Sequence, residues 1–200
     1  MNRIARLSRV LFVLACVLTL GSRSAMAADY VVDSQHSHVG FSVRHLVSKV
    51  PGSFQKFDAE FSFDEKKIAD SKGKFTIQAA SISTNDSKRD AHLQSADFFD
   101  VKKFPTITFE STKVVSKGKN RFALEGNLTL HGVTKPATFD VEYLGSSVSP
   151  FNKKEVVGFT AKSKINRKDY NIVWNKTLDS GGVVIGEDVE IEIQIEAYAK

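Results

Sequence analysis

Cysteine is almost missing from these 200 residues: Cys16 stands alone, so no intrachain disulfide can form. It lies within an apolar run over residues 10–20, and beyond residue 27 there is no thiol nucleophile. Acylation of Cys16, as in a lipoprotein, fits poorly because the apolar run continues past it to Leu20. No stretch approaches the roughly 20 apolar residues of a membrane-spanning helix, which argues against an integral membrane protein. Also absent are a glycine-rich phosphate loop, a dinucleotide fingerprint, a Gly-x-Ser-x-Gly elbow and a His-Glu-x-x-His run. Excess charge is lacking too. The formal net charge of +5 comes largely from four arginines within residues 1–27, a segment with no acid; the remainder holds 24 basic against 23 acidic residues. That balance predicts no nucleic-acid partner and no strongly basic membrane-binding surface.

What is present begins with a leader. Arg3, Arg6 and Arg9 precede the apolar run, and Ala25-Met26-Ala27 places small residues at a cleavage site, the anatomy of a secretory signal peptide over residues 1–27. Cleavage after Ala27 leaves 173 residues, 28–200, a suitable size for a single β-domain. Neither low complexity nor an internal repeat divides it.

Most of that domain alternates apolar and polar residues with a period of two. Val39, Phe41 and Val43 form one apolar face, and Phe57, Ala59, Phe61 and Phe63 another. Phe75, Ile77 and Ala79, then Ile107 and Phe109, then Phe122, Leu124, Leu128 and Leu130 continue the pattern. Ala137, Phe139, Val141 and Tyr143 follow, and after them Val157, Phe159, Ala161 and Ile165. The last and most regular strand sets Val189, Ile191, Ile193, Ile195 and Ala197 against Glu190, Glu192, Gln194 and Glu196. Strands with one apolar and one charged face belong to antiparallel sheets covered on a single side, hence to a sandwich or a closed barrel. Glycine-bearing connections at residues 116–120 and 131–134 predict hairpins, while residues 145–155 and 166–182 read as longer connections. About eight or nine strands result, and eight suffice to close a barrel.

One island departs from this pattern. Residues 86–93 have helix-compatible composition behind the capping residue Asp86, and Phe104-Pro105 ends any helix before a strand resumes at Thr106. Between them, Asp97-Phe98-Phe99-Asp100 sets two aromatics between two acids. A short helical insert over about residues 86–104 suits a plug, lid or rim. The sole tryptophan, Trp174, falls in the long connection after residue 166, where it would seal a barrel end or gate a ligand.

Fourteen of the 15 phenylalanines lie beyond residue 27. Composition alone favours a filled core, since few small barrels enclose a ligand. A hollow one would suit a long hydrocarbon chain, each buried methylene contributing about 0.8 kcal/mol. Catalytic signals are weak. His36 and His38 would share a strand face as half of a metal site, needing His45 or His92 to complete it, the basis for a metal-assisted hydrolase. The structural alternative has His36 and Ser37 hydrogen-bonding at a strand entry. Arg89, Asp90 and His92 would cap or cross-link the helix, or else meet a polar headgroup.

The run Asp33, His36-Ser37, Val39, Phe41, Val43-Arg44-His45-Leu46 resembles the opening of the YceI-like family of secreted lipid-binding proteins. The resemblance continues through Gly52, Phe54 and Phe57 and is strongest in Arg89-Asp90-Ala91-His92-Leu93, Ser95, Asp97-Phe98-Phe99-Asp100 and Phe104-Pro105. Phe109, Gly126, Gly132-Val133-Thr134-Lys135-Pro136 and Ile165-Asn166-Arg167-Lys168-Asp169 complete it. It implies an all-β, eight-stranded, antiparallel lipocalin-like barrel, periplasmic, whose pore holds a polyisoprenoid, a quinone tail or a similar amphiphile for sequestration or transport, without cofactor or catalysis. Phe41, Val43, Phe54, Phe57, Phe98, Phe99 and Phe109 would line or close that pore, with Trp174 at one end and Arg89, Asp90 and His92 around its mouth. Ser149-Pro150-Phe151-Asn152 and Asn171 depart from the family pattern, both in connections. Open mouths could also pair two barrels into a homodimer. A filled barrel acting through its surface in stress protection is the competing expectation.

Overall fold

The alternating segments form one antiparallel sheet rolled into a closed, eight-stranded barrel. The computed structural model describes residues 28–178 and 182–200, so the expected leader over residues 1–27 lies outside the described residues. Strands β1 (Ala28–Val32), β2 (His38–His45), β3 (Ser48–Phe54), β4 (Phe57–Phe63), β5 (Lys72–Gln78) and β6 (Ile82–Ser83) precede helix α1 (Ser87–Gln94). Then come β7 (Thr106–Ser116), β8 (Arg121–Leu130), β9 (Val133–Val148), β10 (Glu155–Asn166) and β11 (Ile185–Ala199). In three places one strand is interrupted partway, giving the pairs β1/β2, β3/β4 and β5/β6. Counting each pair once, eight strands run up and down around the barrel, and β11 returns to pair with β1.

Closure runs along β11. Its N-terminal part pairs with β2, from Ile185 opposite His45 to Gln194 opposite His38, and its end pairs with β1, Ala197 opposite Val32. Between those ladders Glu196 would leave two backbone groups without partners, an expensive omission inside a sheet. Side chains and backbone of the β1–β2 joint supply them: Ser37 Oγ accepts from Glu196 N–H at 2.9 Å, and Asp33 N–H donates to the Glu196 carbonyl at 2.8 Å. A second serine acts likewise at the other breaks. Ser81 Oγ accepts from Lys56 N–H and donates to the Gln78 carbonyl, stitching the β3–β4 break to the β5–β6 break.

Three strands had no sequence signal, among them β6, which is only two residues long. β1 is five residues long, and β3 contains Pro51, which a sheet tolerates only where one side of the strand is free. β3 meets that condition, because β6 pairs with it only at Ser53 and Phe54. The connection expected over residues 145–155 is shorter, since β9 continues to Val148 and a bulge at Leu144 of β9, opposite the Gly158–Phe159 step of β10, absorbs the register change. Ala79, expected to end a strand, begins a single 3-10 turn, Ala79–Ser81. The two-residue turn His131-Gly132 joins β8 to β9 with φ of 50° and 73°, the primed geometry that matches the strand twist. Outward residues form cross-strand ion pairs such as Lys162–Glu192 at 3.2 Å and Lys164–Asp188 at 2.6 Å.

At the β1–β2 joint, His36 Nδ1 and Asp33 Oδ2 lie 2.7 Å apart. The contact holds the Asp33 carboxyl below its ordinary 3.8 and the His36 imidazole above its ordinary 6.5. A lowered acid contributes stability that is lost as pH falls through its folded value; a raised base contributes stability that is lost as pH rises through its own. Asp33→Asn should therefore lower Tm most near about pH 5, with the difference from wild type shrinking toward about pH 9 and toward about pH 2. Thermal melts across that range test it, and a difference that does not vary with pH would contradict it.

Candidate functional site: an apolar chamber under a helical lid

Inward side chains of the barrel leave a cavity of about 600 Å³, within the range of roughly 300–1,000 Å³ usual for small-molecule pockets. The filled core favoured by composition is thereby corrected, and the reason is where the rings lie. Phe41 on β2 faces Gly52 on β3 in register, and a β-carbon on Gly52 would come within 2.3 Å of the Phe41 ring. One at Gly126 would come within 2.5 Å of the Phe109 ring and 2.4 Å of the Glu110 carbonyl. Each ring thus lies flat on a wall with no side chain beneath it. Neighbouring rings continue around the wall, Phe61–Phe75 at 6.4 Å, Phe75–Phe109 at 6.2 Å and Phe109–Phe139 at 5.0 Å between centroids.

The end opposite α1 is closed by aromatic packing. Phe63 meets Phe159 and Tyr143, both at 4.9 Å between centroids, and Phe122 joins them. Burial pushes the neighbouring Tyr30 hydroxyl up to about 12, with Glu155 adding to the rise. The other end is covered by the insert and by the connection after β10. Trp174 packs at 5.3 Å from Phe98 and edge-on at 5.0 Å from His92, while Phe99 meets Phe54 edge-on at 5.7 Å. His92 Nε2 is in turn 2.8 Å from the Asp97 carboxylate.

α1 forms where the sequence places it: Asp86 Oδ1 accepts from the N–H groups of Lys88 and Arg89, both at 3.0 Å. None of its residues is buried, so packing alone does not hold it. Buried Thr84 does. Its N–H and hydroxyl donate to Asp90 Oδ1, its hydroxyl accepts from Arg89 Nε at 2.7 Å, and its carbonyl accepts from Arg89 Nη2 at 2.7 Å.

Of the residues singled out from the sequence, Phe41, Val43, Phe54, Phe57, Phe98, Phe99, Phe109, Trp174, Arg89 and His92 all border the cavity. Asp90 does not: it is the acceptor for Thr84, so it fixes the helix rather than meeting a ligand. Phe61, Phe63, Phe75, Phe122, Phe139 and Phe159 also line the wall, and the same period-two register carried their signal. Thr84 had none, and Arg167 stood out only as part of the family motif at residues 165–169. The histidine set considered for a hydrolase is not assembled. Among the described residues, the one group placed to share a metal ion is Asp33, His36 and Glu196, with ligand atoms within 4.8 Å of one another, and neither His38 nor His92 belongs to it. His36 precedes β2 instead of sharing its face with His38, and it is engaged by Asp33.

Fold and site together define an up-and-down β-barrel that encloses an apolar chamber beneath a helical lid. The chain belongs to the YceI-like family, whose domain matches residues 30–197. It is 43% identical over 189 residues to "Protein YceI" of Salmonella arizonae, covering 92% of this chain and 94% of that protein. Among solved structures it resembles BcnA of Burkholderia cenocepacia, with 25% identity, a TM-score of 0.74, and coverage of 82% of this chain and 98% of the other. A polyisoprenoid binding domain from Saccharophagus degradans, implicated in plant cell wall breakdown, shares the fold at 14% identity and a TM-score of 0.59, over 87% and 99% of the respective chains.

Thr84→Val should cost about 2 kcal/mol, because it removes two hydrogen bonds to charged groups while keeping the side-chain shape. Denaturant unfolding measures the loss, and hydrogen exchange should show faster opening of α1 than of β8. Unchanged stability would contradict the clamp.

Proposed function

We propose that this protein is a non-enzymatic carrier that buries the hydrocarbon tail of an isoprenoid or similar long-chain lipid within its barrel. The observation that carries the reading is the chamber of about 600 Å³ walled by phenylalanine and aliphatic side chains. Such a wall attracts a tail through area removed from water and offers few groups that could do chemistry. The shared fold of the polyisoprenoid binding domain from Saccharophagus degradans supports the same class of ligand. The leader-like residues 1–27 support a periplasmic site of action for a single domain over residues 28–200. There a soluble container could sequester a lipid or move it through the aqueous compartment. Among the described residues no helix is long and apolar enough to cross a membrane.

Solvent extraction of the purified, leader-free protein followed by mass spectrometry tests the reading. The expected result is one class of long-chain lipid near one equivalent. Protein that yields no lipid and shows no rise in Tm when incubated with polyprenyl chains would overturn it.

A further inference from the structure

Arg167 opens a 3-10 turn, Arg167–Tyr170, between β10 and β11, and is only 4% exposed. Its Nε donates to the Gly186 carbonyl at 2.9 Å, and its Nη1 donates to the carbonyls of Ile172 at 2.7 Å and Trp174 at 2.8 Å. Three bonds to backbone oxygens on two sides of the connection fix the guanidinium plane. The remaining nitrogen, Nη2, is buried and has no hydrogen-bond partner among the described residues. Arg167 also borders the cavity.

A buried cation normally has a carboxylate beside it, because desolvation is otherwise uncompensated. Here none is bonded to it. Glu187, the acid whose field reaches Arg167, is itself bonded to Lys168 Nζ at 2.5 Å. Burial accordingly holds the Arg167 guanidinium below its ordinary value, with Glu187 opposing the shift. The other titratable groups bordering the chamber near α1 and the start of β11 are His45, Lys88, Arg89 and His92, all basic. The single carboxylate on the cavity wall among the described residues, Asp58, belongs to β4. Of the basic groups, Arg89 is committed to Thr84 and His92 to Asp97, whereas Nη2 of Arg167 retains its donors.

We infer that Arg167 forms a subsite for an anionic oxygen at the lidded end of the chamber, so that the cargo is a lipid with a phosphate or carboxylate head rather than a neutral one. The guanidinium fork suits both heads, since it presents a planar pair of donors to oxygen. The inference rests on the carrier reading and adds what the tail cannot supply, discrimination between lipids of equal length. Trp174 couples the subsite to the lid, because its carbonyl holds the arginine while its ring packs on Phe98 and His92.

Three probes with one tail separate the possibilities: geranylgeranyl phosphate, geranylgeranoic acid and geranylgeraniol, each titrated into delipidated full-length mature protein. The phosphate and the acid should bind about tenfold more tightly than the alcohol, as expected for one charge-assisted hydrogen bond in a dry site. A tighter phosphate identifies a phosphorylated cargo, and equal phosphate and acid affinities show that any anionic oxygen serves. Arg167→Gln should bring the three affinities together. Should that variant fail to fold, a crystal structure of the wild-type phosphate complex decides, with the head expected within hydrogen-bonding distance of Arg167 Nη2. Equal binding of all three probes would overturn the anionic subsite while leaving the apolar carrier intact, and a head lodged on Lys88 instead would overturn the role of Arg167. If none of the three bound, the carrier reading itself would fail, and the subsite with it.

Discussion

β11 is shared by β10 along one edge and by β2 and then β1 along the other, and the barrel closes because the hand-over from β2 to β1 leaves no backbone group of that shared strand without a partner. Ser37 and Asp33 satisfy Glu196 at the point where one partner strand ends and the next begins. Without them the seam would present orphaned backbone groups to the interior. With them, the first strand can bend and still close the sheet. The breaks β3/β4 and β5/β6, stitched by Ser81, let the wall turn in the same region, and there the sheet gives way to the helical insert.

A closed eight-stranded barrel does not by itself contain a chamber, because inward side chains can fill it. Where the bulk goes decides the matter. Phe41 and Phe109 lie against Gly52 and Gly126, so two large rings add apolar surface to the wall while occupying little of the centre. At one end the opposite arrangement holds, with Phe63, Phe122, Tyr143 and Phe159 packed ring against ring into a floor. The lid is assembled on another principle. α1 is mostly polar and is tied down by Thr84, and its Leu93 joins Phe98 and Phe99 to present the apolar underside.

Much of this was legible in the sequence. Period-two alternation located most strands, Asp86 announced the helix, and His131-Gly132 announced a hairpin, because each signal is local. β3 was hidden by Pro51, whose acceptability depends on an edge that only the folded sheet reveals. The alternation alone also hid the chamber, which only the family resemblance implied: a phenylalanine reads as core whether it points at a neighbouring ring or lies over a glycine of the adjacent strand. Asp90 and Arg89 stood out as chemistry-bearing residues, yet both serve Thr84, a threonine that nothing in its neighbours distinguishes. Arg167 enters the sequence reading only as part of the family motif at residues 165–169, and only the convergence of the Gly186, Ile172 and Trp174 carbonyls shows it to be interior.

The central claim is that the apolar chamber takes up a lipid tail, and the dependence of affinity on tail length tests it most directly. Isothermal titration of a series with one head and increasing tail length should show affinity rising by up to about fourfold per added methylene, the equivalent of ~0.8 kcal/mol. The rise should level off once the chamber is filled. Affinity indifferent to tail length from the shortest member onward would contradict the claim, because binding would then depend on the head alone.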